Sequence, residues 1–185
     1  MRSLLVFENL TVNGCFSGPN GELDWAYQDD PELDEFTARN AAEPGVLVLG
    51  RVTYEQMASF WPSAAAAESA PVVAKGMNEA GKIVFSRTLR SAEWANTTLI
   101  STDPCEAVRR LKELPGRDLV VLGSGSLVAQ LAGAGLVDAL QLVVRPVALP
   151  RGRTLFEGMT APLPLALTDV RSFRSGTVVL SYTRR

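Results

Sequence analysis

Val46-Leu47-Val48-Leu49-Gly50-Arg51-Val52-Thr53-Tyr54-Glu55-Gln56-Met57-Ala58-Ser59-Phe60-Trp61 is the stretch on which the fold turns. Val46 to Leu49 is an unbroken apolar run, the pattern of a strand buried on both faces, and it stops at Gly50. Tyr54, Met57, Ala58 and Trp61 then recur at helical spacing, so a helix begins almost where the strand ends. Such a junction leaves unpaired backbone N–H groups at the carboxyl edge of a sheet, where an anion could be held. Arg51 adds a positive charge beside it and Thr53 a hydroxyl. An ordinary strand-to-helix turn accounts for the same residues, and the stretch alone does not separate the two.

The pattern recurs downstream. Asp118 to Leu122 runs into Gly123-Ser124-Gly125-Ser126, and Leu127, Val128 and Leu131 open a helix. Two glycines permit close approach of the backbone, and two serines add donors. This is not the dinucleotide fingerprint of the Rossmann fold, because Val128 stands where a third glycine is needed. Two strand–glycine–helix junctions carry more weight together than either alone.

Between and around them the chain alternates strands and helices. Leu4 to Val12 reads as a first strand, followed by a glycine-rich stretch from Asn13-Gly14 to Asp24-Trp25 that is either a long connection or a flap. Asp30-Pro31 is an N-cap and first-turn pair for a helix to about Ala42, whose early acids Asp29, Asp30, Glu32, Asp34 and Glu35 suit the helix dipole. Pro62 ends the helix of the opening stretch, and Ser63 to Pro71 reads as a low-complexity surface connection. Lys82–Phe85 and Thr97–Ile100 are short strands. Asp103 or Thr102 caps a helix with Pro104 in its first turn. Leu136 to Val144 is a long strand, and Leu163–Phe173 with Thr177–Thr183 forms a terminal antiparallel hairpin. The expected class is α/β, a mostly parallel mixed sheet flanked by helices, in one domain over residues 1–185.

Composition narrows the function. With 46% apolar and 21% charged residues and a net charge of -2, the 185-residue chain lacks the basic stripe of a nucleic-acid or membrane-surface protein, so small molecules are the expected partners. There is no histidine, and Cys15 and Cys105 lie far apart without metal-type spacing. Zinc sites on His and Cys, and every Ser-His-Asp or Cys-His mechanism, are thereby excluded within one chain, and no metal is expected. A zinc-dependent deaminase is disfavoured on the same ground. The N-terminal apolar run is too short for a signal peptide and no segment reaches membrane-span length, which gives the expectation of a cytoplasmic protein with reduced thiols.

Gly50-Arg51-x-Thr53-Tyr54-Glu55 after a buried strand resembles a motif of dihydrofolate reductases, and Leu122-Gly123-Ser124-Gly125-Ser126-Leu127 resembles their second glycine motif. Within that superfamily, four features are similar to the reductase domain of riboflavin biosynthesis. They are Asn13-Gly14 in place of the usual Asp-Gly, Phe85-Ser86-Arg87-Thr88, Trp94-x-Asn96-Thr97, and Pro146-Val147 through Gly152 to Leu155-Phe156.

The resemblance implies a dihydrofolate reductase-like fold with NADPH extended across the carboxyl ends of the strands. Gly50, Arg51 and Thr53 would meet the pyrophosphate, and Ser86 and Arg87 the 2′-phosphate. Gly123, Ser124, Gly125 and Ser126 would meet the pyrophosphate and the nicotinamide ribose. The alternative for Arg87 is a solvated loop arginine. Asn13, Gly14 and Trp25 become candidates for the substrate side, Trp25 by stacking on a flat ring. Without histidine the proton must come from a carboxyl, a tyrosine or water. Asp34 falls where the family carries an acid on its first helix, and Asp24 after the glycine-rich stretch is a rival. The implied activity is NADPH-dependent reduction of a small heterocyclic or carbonyl compound, pterin- or ribosylaminopyrimidine-like, by a homodimer. The alternative is a nucleotide-binding or oligomerisation module with this fold and no turnover.

Overall fold

The computed structural model describes residues 1–185. Ten strands form around six helices. In chain order they are β1 (Leu4–Thr11), β2 (Cys15–Ser17), α1 (Pro31–Ala42), β3 (Val46–Gly50), α2 (Arg51–Phe60), α3 (Ala64–Ser69), α4 (Pro71–Glu79), β4 (Lys82–Phe85) and β5 (Thr97–Ile100). These are followed by α5 (Pro104–Glu113), β6 (Leu119–Leu122), α6 (Gly125–Gly133), β7 (Ala139–Arg145), β8 (Arg153–Thr154), β9 (Leu165–Ser172) and β10 (Val178–Arg184).

Eight strands make one sheet in the order β5-β4-β3-β6-β1-β7-β10-β9. β10 is antiparallel to both β7 and β9, while the pairings among the other strands are parallel. The expected hairpin therefore closes the sheet at one edge. Short apolar strands between helices are buried on both faces, as parallel sheets require.

One face carries α5 and α6, whose Val108, Leu127, Val128 and Leu131 pack on Leu4, Val6, Val48, Ile83 and Val121. On the other face Tyr54 of α2 and Met77 of α4 pack on Leu47, Leu49 and Val84. Leu33 of α1 packs there on Val143 and Val179. No helix is long and apolar enough to cross a membrane.

Two expectations change. Ser63 to Pro71 is not a surface connection: Ser63 accepts the N–H of Ala66 and starts α3, and Pro71 starts α4. Alanine is the strongest helix former, and Ala66 is fully buried, so low complexity here reflects tight packing. α4 crosses α1 so closely that a Cβ on Gly76 would lie 1.8 Å from the Ala41 carbonyl oxygen. The glycine-rich stretch is also anchored at its start, because β2 pairs with β8.

Candidate functional site

Strand order decides which strand ends meet. β4, β3, β6 and β1 are consecutive neighbours, so their carboxyl ends bring Ser86, Gly50, Gly123 and the Asn13 turn into one row. Gly50 lies in register with Phe85, which sets Ser86-Arg87 one step beyond the first glycine junction.

The two junctions interlock. Gly50 N donates to Ser124 Oγ at 3.0 Å, and the hydroxyls of Thr53 and Ser124 are 2.8 Å apart. Gly123 and Ser124 both take left-handed backbone, φ 60° and 63°, a turn that glycine adopts without strain and serine does not. A Cβ on Gly50 would sit 2.5 Å from Ser124 Oγ, and one on Gly123 would sit 2.9 Å from Thr53 Cγ2. These glycines let the junctions close on each other. Gly125 is likewise buried against the Phe16 ring, 2.5 Å from where its Cβ would be, while Ser126 is exposed.

α1, α3 and α5 each have a side-chain N-cap, from Asp30, Ser63 and Asp103. α2, α4 and α6 have none, and of these α2 and α6 start at adjoining strand ends. At α6 the Ser124 carbonyl takes Leu127 N; the other first-turn N–H groups of α2 and α6, with the positive end of each helix dipole, are left to a ligand or water at adjoining strand ends.

The remaining candidates divide by what holds them. Arg51 is half exposed and paired with Glu55 at 2.8 Å along α2, an i,i+4 contact that takes up part of its charge. Ser86 Oγ accepts the N–H groups of Thr88 and Leu89, which folds the loop that displays Arg87. Arg87 is exposed and belongs to none of the ion pairs in the molecule.

The Asn13 side chain is committed to its surroundings: Oδ1 accepts from Thr11 Oγ1 and Leu149 N, and Nδ2 donates to Leu149 O. Gly14, at φ 80°, closes that turn. Asp24 and Trp25 lie on a short 3-10 turn, Asp24 exposed and Trp25 half-buried with its indole N–H on Glu22 O.

Asp34 is exposed on the first turn of α1, and its charge reaches Arg145 at the end of β7. Arg145 is buried, with Nε on Asn9 Oδ1 at 3.1 Å and Nη1 without a partner. Burial pushes its guanidinium below the usual value, opposed by Asp34 and Asp30. Asp30 itself is fully occupied, accepting from Glu32 N, Leu33 N and Ser175 N.

Glu8 was not singled out by sequence. It sits on β1 among the inward-facing Leu4, Val6 and Leu10, with 8% of its surface exposed. Its Oε1 accepts Asn9 N at 3.0 Å, and Oε2 has no partner. Burial raises its carboxyl to about 8, while the backbone N–H groups of Asn9 and Gly123 pull the other way. The signal was available: an acid at an inward position of an otherwise alternating strand.

These features define a reductase-like α/β fold whose glycine junctions share one sheet edge. A family model described as the RibD C-terminal domain matches residues 2–180, and the chain belongs to that family. It is 28% identical over 181 residues to the uncharacterised protein YyaP of Bacillus subtilis (strain 168), covering 98% of this chain and 94% of that one. Among solved structures, a putative riboflavin biosynthesis protein from Shewanella sp. PV-4 superposes with a TM-score of 0.78 at 18% identity, covering 99% of both chains. Dihydrofolate reductase from Enterococcus faecalis, solved with NADP(H), superposes with a TM-score of 0.68 at 16% identity, over 99% of this chain and 96% of that one. At these identities the structural likeness speaks for the fold, which is dihydrofolate reductase-like.

Proposed function

We propose that the protein is an NADPH-dependent reductase of a small heterocyclic or carbonyl compound. One observation carries this reading: two helices without side-chain caps, α2 and α6, begin at adjoining strand ends, with Arg87 one strand further on. The donor set suits an anionic dinucleotide. Helix N-termini and the Thr53 hydroxyl serve a diphosphate, and an arginine free of ion pairs serves a 2′-phosphate through its forked donors. That a dihydrofolate reductase of the same fold was solved with NADP(H) adds support.

When bound, the cofactor supplies the hydride; the chain must orient it, exclude water and deliver a proton. Asp34 suits the last task better than Asp24, because its charge bears on Arg145 at the carboxyl end of β7. Arg145, fixed through Nε by Asn9, holds a positive charge at that end of β7. Trp25 is kept as an aromatic wall on the substrate side, and the Asn13-Gly14 turn holds the neighbouring loop in place.

Fluorescence titration tests the reading. NADPH should bind at least tenfold tighter than NADH, and Arg87→Ala should abolish the difference. Equal affinities, or no binding, would refute it. NADPH binding without oxidation across a panel of pterins, pyrimidines, flavins and quinones would instead favour a nucleotide-binding module.

A further inference from the structure

Asn9 and Arg145 hold each other at the carboxyl ends of β1 and β7. Arg145 Nε donates to Asn9 Oδ1 at 3.1 Å, and since a guanidinium carries donors only, this contact fixes which way the amide faces. The oxygen is turned to the arginine and the NH2 away from it. Asn9 Nδ2 donates to nothing in the chain. In the five other asparagines, Asn13, Asn20, Asn40, Asn78 and Asn96, Nδ2 donates to Leu149 O, Glu22 Oε1, Gln141 Oε1, Trp61 O and Asn78 O. Asn9 is the exception.

Arg145 is half used in the same way. Nε and Nη2 lie along one edge of the guanidinium and form its fork. Asn9 takes the Nε side, Nη2 donates to nothing, and no carboxylate pairs with the group. Both free donors are accessible. The enclosed side-chain atoms without a partner are Glu8 Oε2 and Arg145 Nη1 alone, so Asn9 Nδ2 and Arg145 Nη2 reach solvent.

Strand alternation places the pair. Phe7 and Val143 pack with Leu33 and Phe36 of α1, and Asn9 and Arg145 follow two residues on along the same face, at the start of that helix. β6 pairs with β1 only as far as Phe7, so Asn9 has no backbone partner on that side, and the next strand end is Gly123.

Charge decides what the donors suit. Asp30 and Asp34 at the start of α1 both bear on Arg145 and favour its charged form. Asp30 is taken up by Glu32 N, Leu33 N and Ser175 N, while Asp34 is exposed. The cation is thus already balanced. A phosphate or carboxylate brought here would meet two like charges, whereas a neutral carbonyl oxygen, with two lone pairs, matches two donors and adds no charge.

We propose that Asn9 Nδ2 and Arg145 Nη2 form a two-donor clasp for a carbonyl oxygen of the substrate, and that the substrate is accordingly a heterocycle bearing a ring carbonyl. The inference rests on the reductase reading above for the ligand being the hydride acceptor, and extends it to the substrate side.

The test titrates the full chain at pH 7 with 2,4-dioxopteridine and 2,4-diaminopteridine, which share one ring system and present carbonyl oxygens or amino groups. The dioxo compound should bind about tenfold tighter or more, because amino groups turn donors toward donors. Asn9→Asp keeps an oxygen for Arg145 Nε and puts an acceptor where the free donor was. It should lose about tenfold for the dioxo compound and nothing for the diamino one. Equal affinities in the wild-type chain, no binding of either compound, or an unchanged ratio in Asn9→Asp would overturn the proposal; the first two results need no variant to fold. A separate NADPH titration keeps the two readings apart. If NADPH binds and the pteridine pattern fails, the clasp is refuted and the cofactor reading stands. If the pattern holds and NADPH does not bind, the reductase reading falls and the clasp remains as a carbonyl-binding site.

Discussion

Glu8→Gln should make the protein more stable at pH 8 and leave it unchanged at pH 5. The folded-state carboxyl has its proton affinity raised from 4.5 to about 8 by burial. Between those values the native state binds more protons than the unfolded state, so stability declines as pH rises. The decline is about 1.4 kcal/mol per pH unit at its steepest. Stability is complete below pH 4.5, has lost roughly 3 kcal/mol by pH 7 and roughly 4 kcal/mol by pH 8, and levels off above that. Against a total of about 5–15 kcal/mol for a typical domain this is a large share. Glutamine copies the protonated acid in shape, acceptor and donor, and has nothing to ionise. Urea unfolding of both proteins at half-unit steps from pH 5 to pH 8.5 measures the difference, which should grow steadily through the window. At pH 8 the variant should also melt about 10 °C higher, at a few degrees per kcal/mol for a chain of this size. Wild-type stability that is flat from pH 5 to pH 8, or a variant curve parallel to it, would refute the assignment of a buried neutral carboxyl.

Lys82→Met should cost roughly 2–4 kcal/mol in urea unfolding at pH 7, because it strips the donor from three carbonyls; unchanged stability would show that those carbonyls find other partners. Gly76→Ala should lower stability by about 1–3 kcal/mol or more, since its methyl would overlap the Ala41 carbonyl and force α1 from α4. A melting temperature equal to wild type would show that the helix pair yields freely. Light scattering should return twice the 19.9 kDa chain mass, as expected for a homodimer. Leu167 and Val170 on the outer strand β9 are exposed and suit such an interface, and a mass of one chain would refute it.

Much of the frame was legible because its signals are local. Val46–Leu49 ending at Gly50, and Leu119–Leu122 ending at Gly123, announce buried strands that turn into helices, at once after Gly50 and after Gly123-Ser124 in the second case. Asp30-Pro31 and Asp103-Pro104 announce helix starts; Asp30 caps as expected, and of the two candidates Asp103 rather than Thr102 caps the other helix. Ser63–Pro71 misled because alanine-rich segments look alike on a surface and in a packed helix; only the buried Ala66 tells them apart.

Tertiary structure decided what the sheet order controls. That Ser124 would bond to Gly50 N, seventy-four residues away, follows from β3 and β6 being neighbours, which no periodicity encodes. That Glu8 would be cut off from water depends on β7 beside it and on α6 packed over the face it shares with Val6 and Leu10. By itself the sequence determined which residues end strands and start helices, because hydrogen bonding and periodicity act over a few positions. The charge state of an acid in the gap between two strands was settled only by folding, because desolvation is exerted by segments distant in the chain.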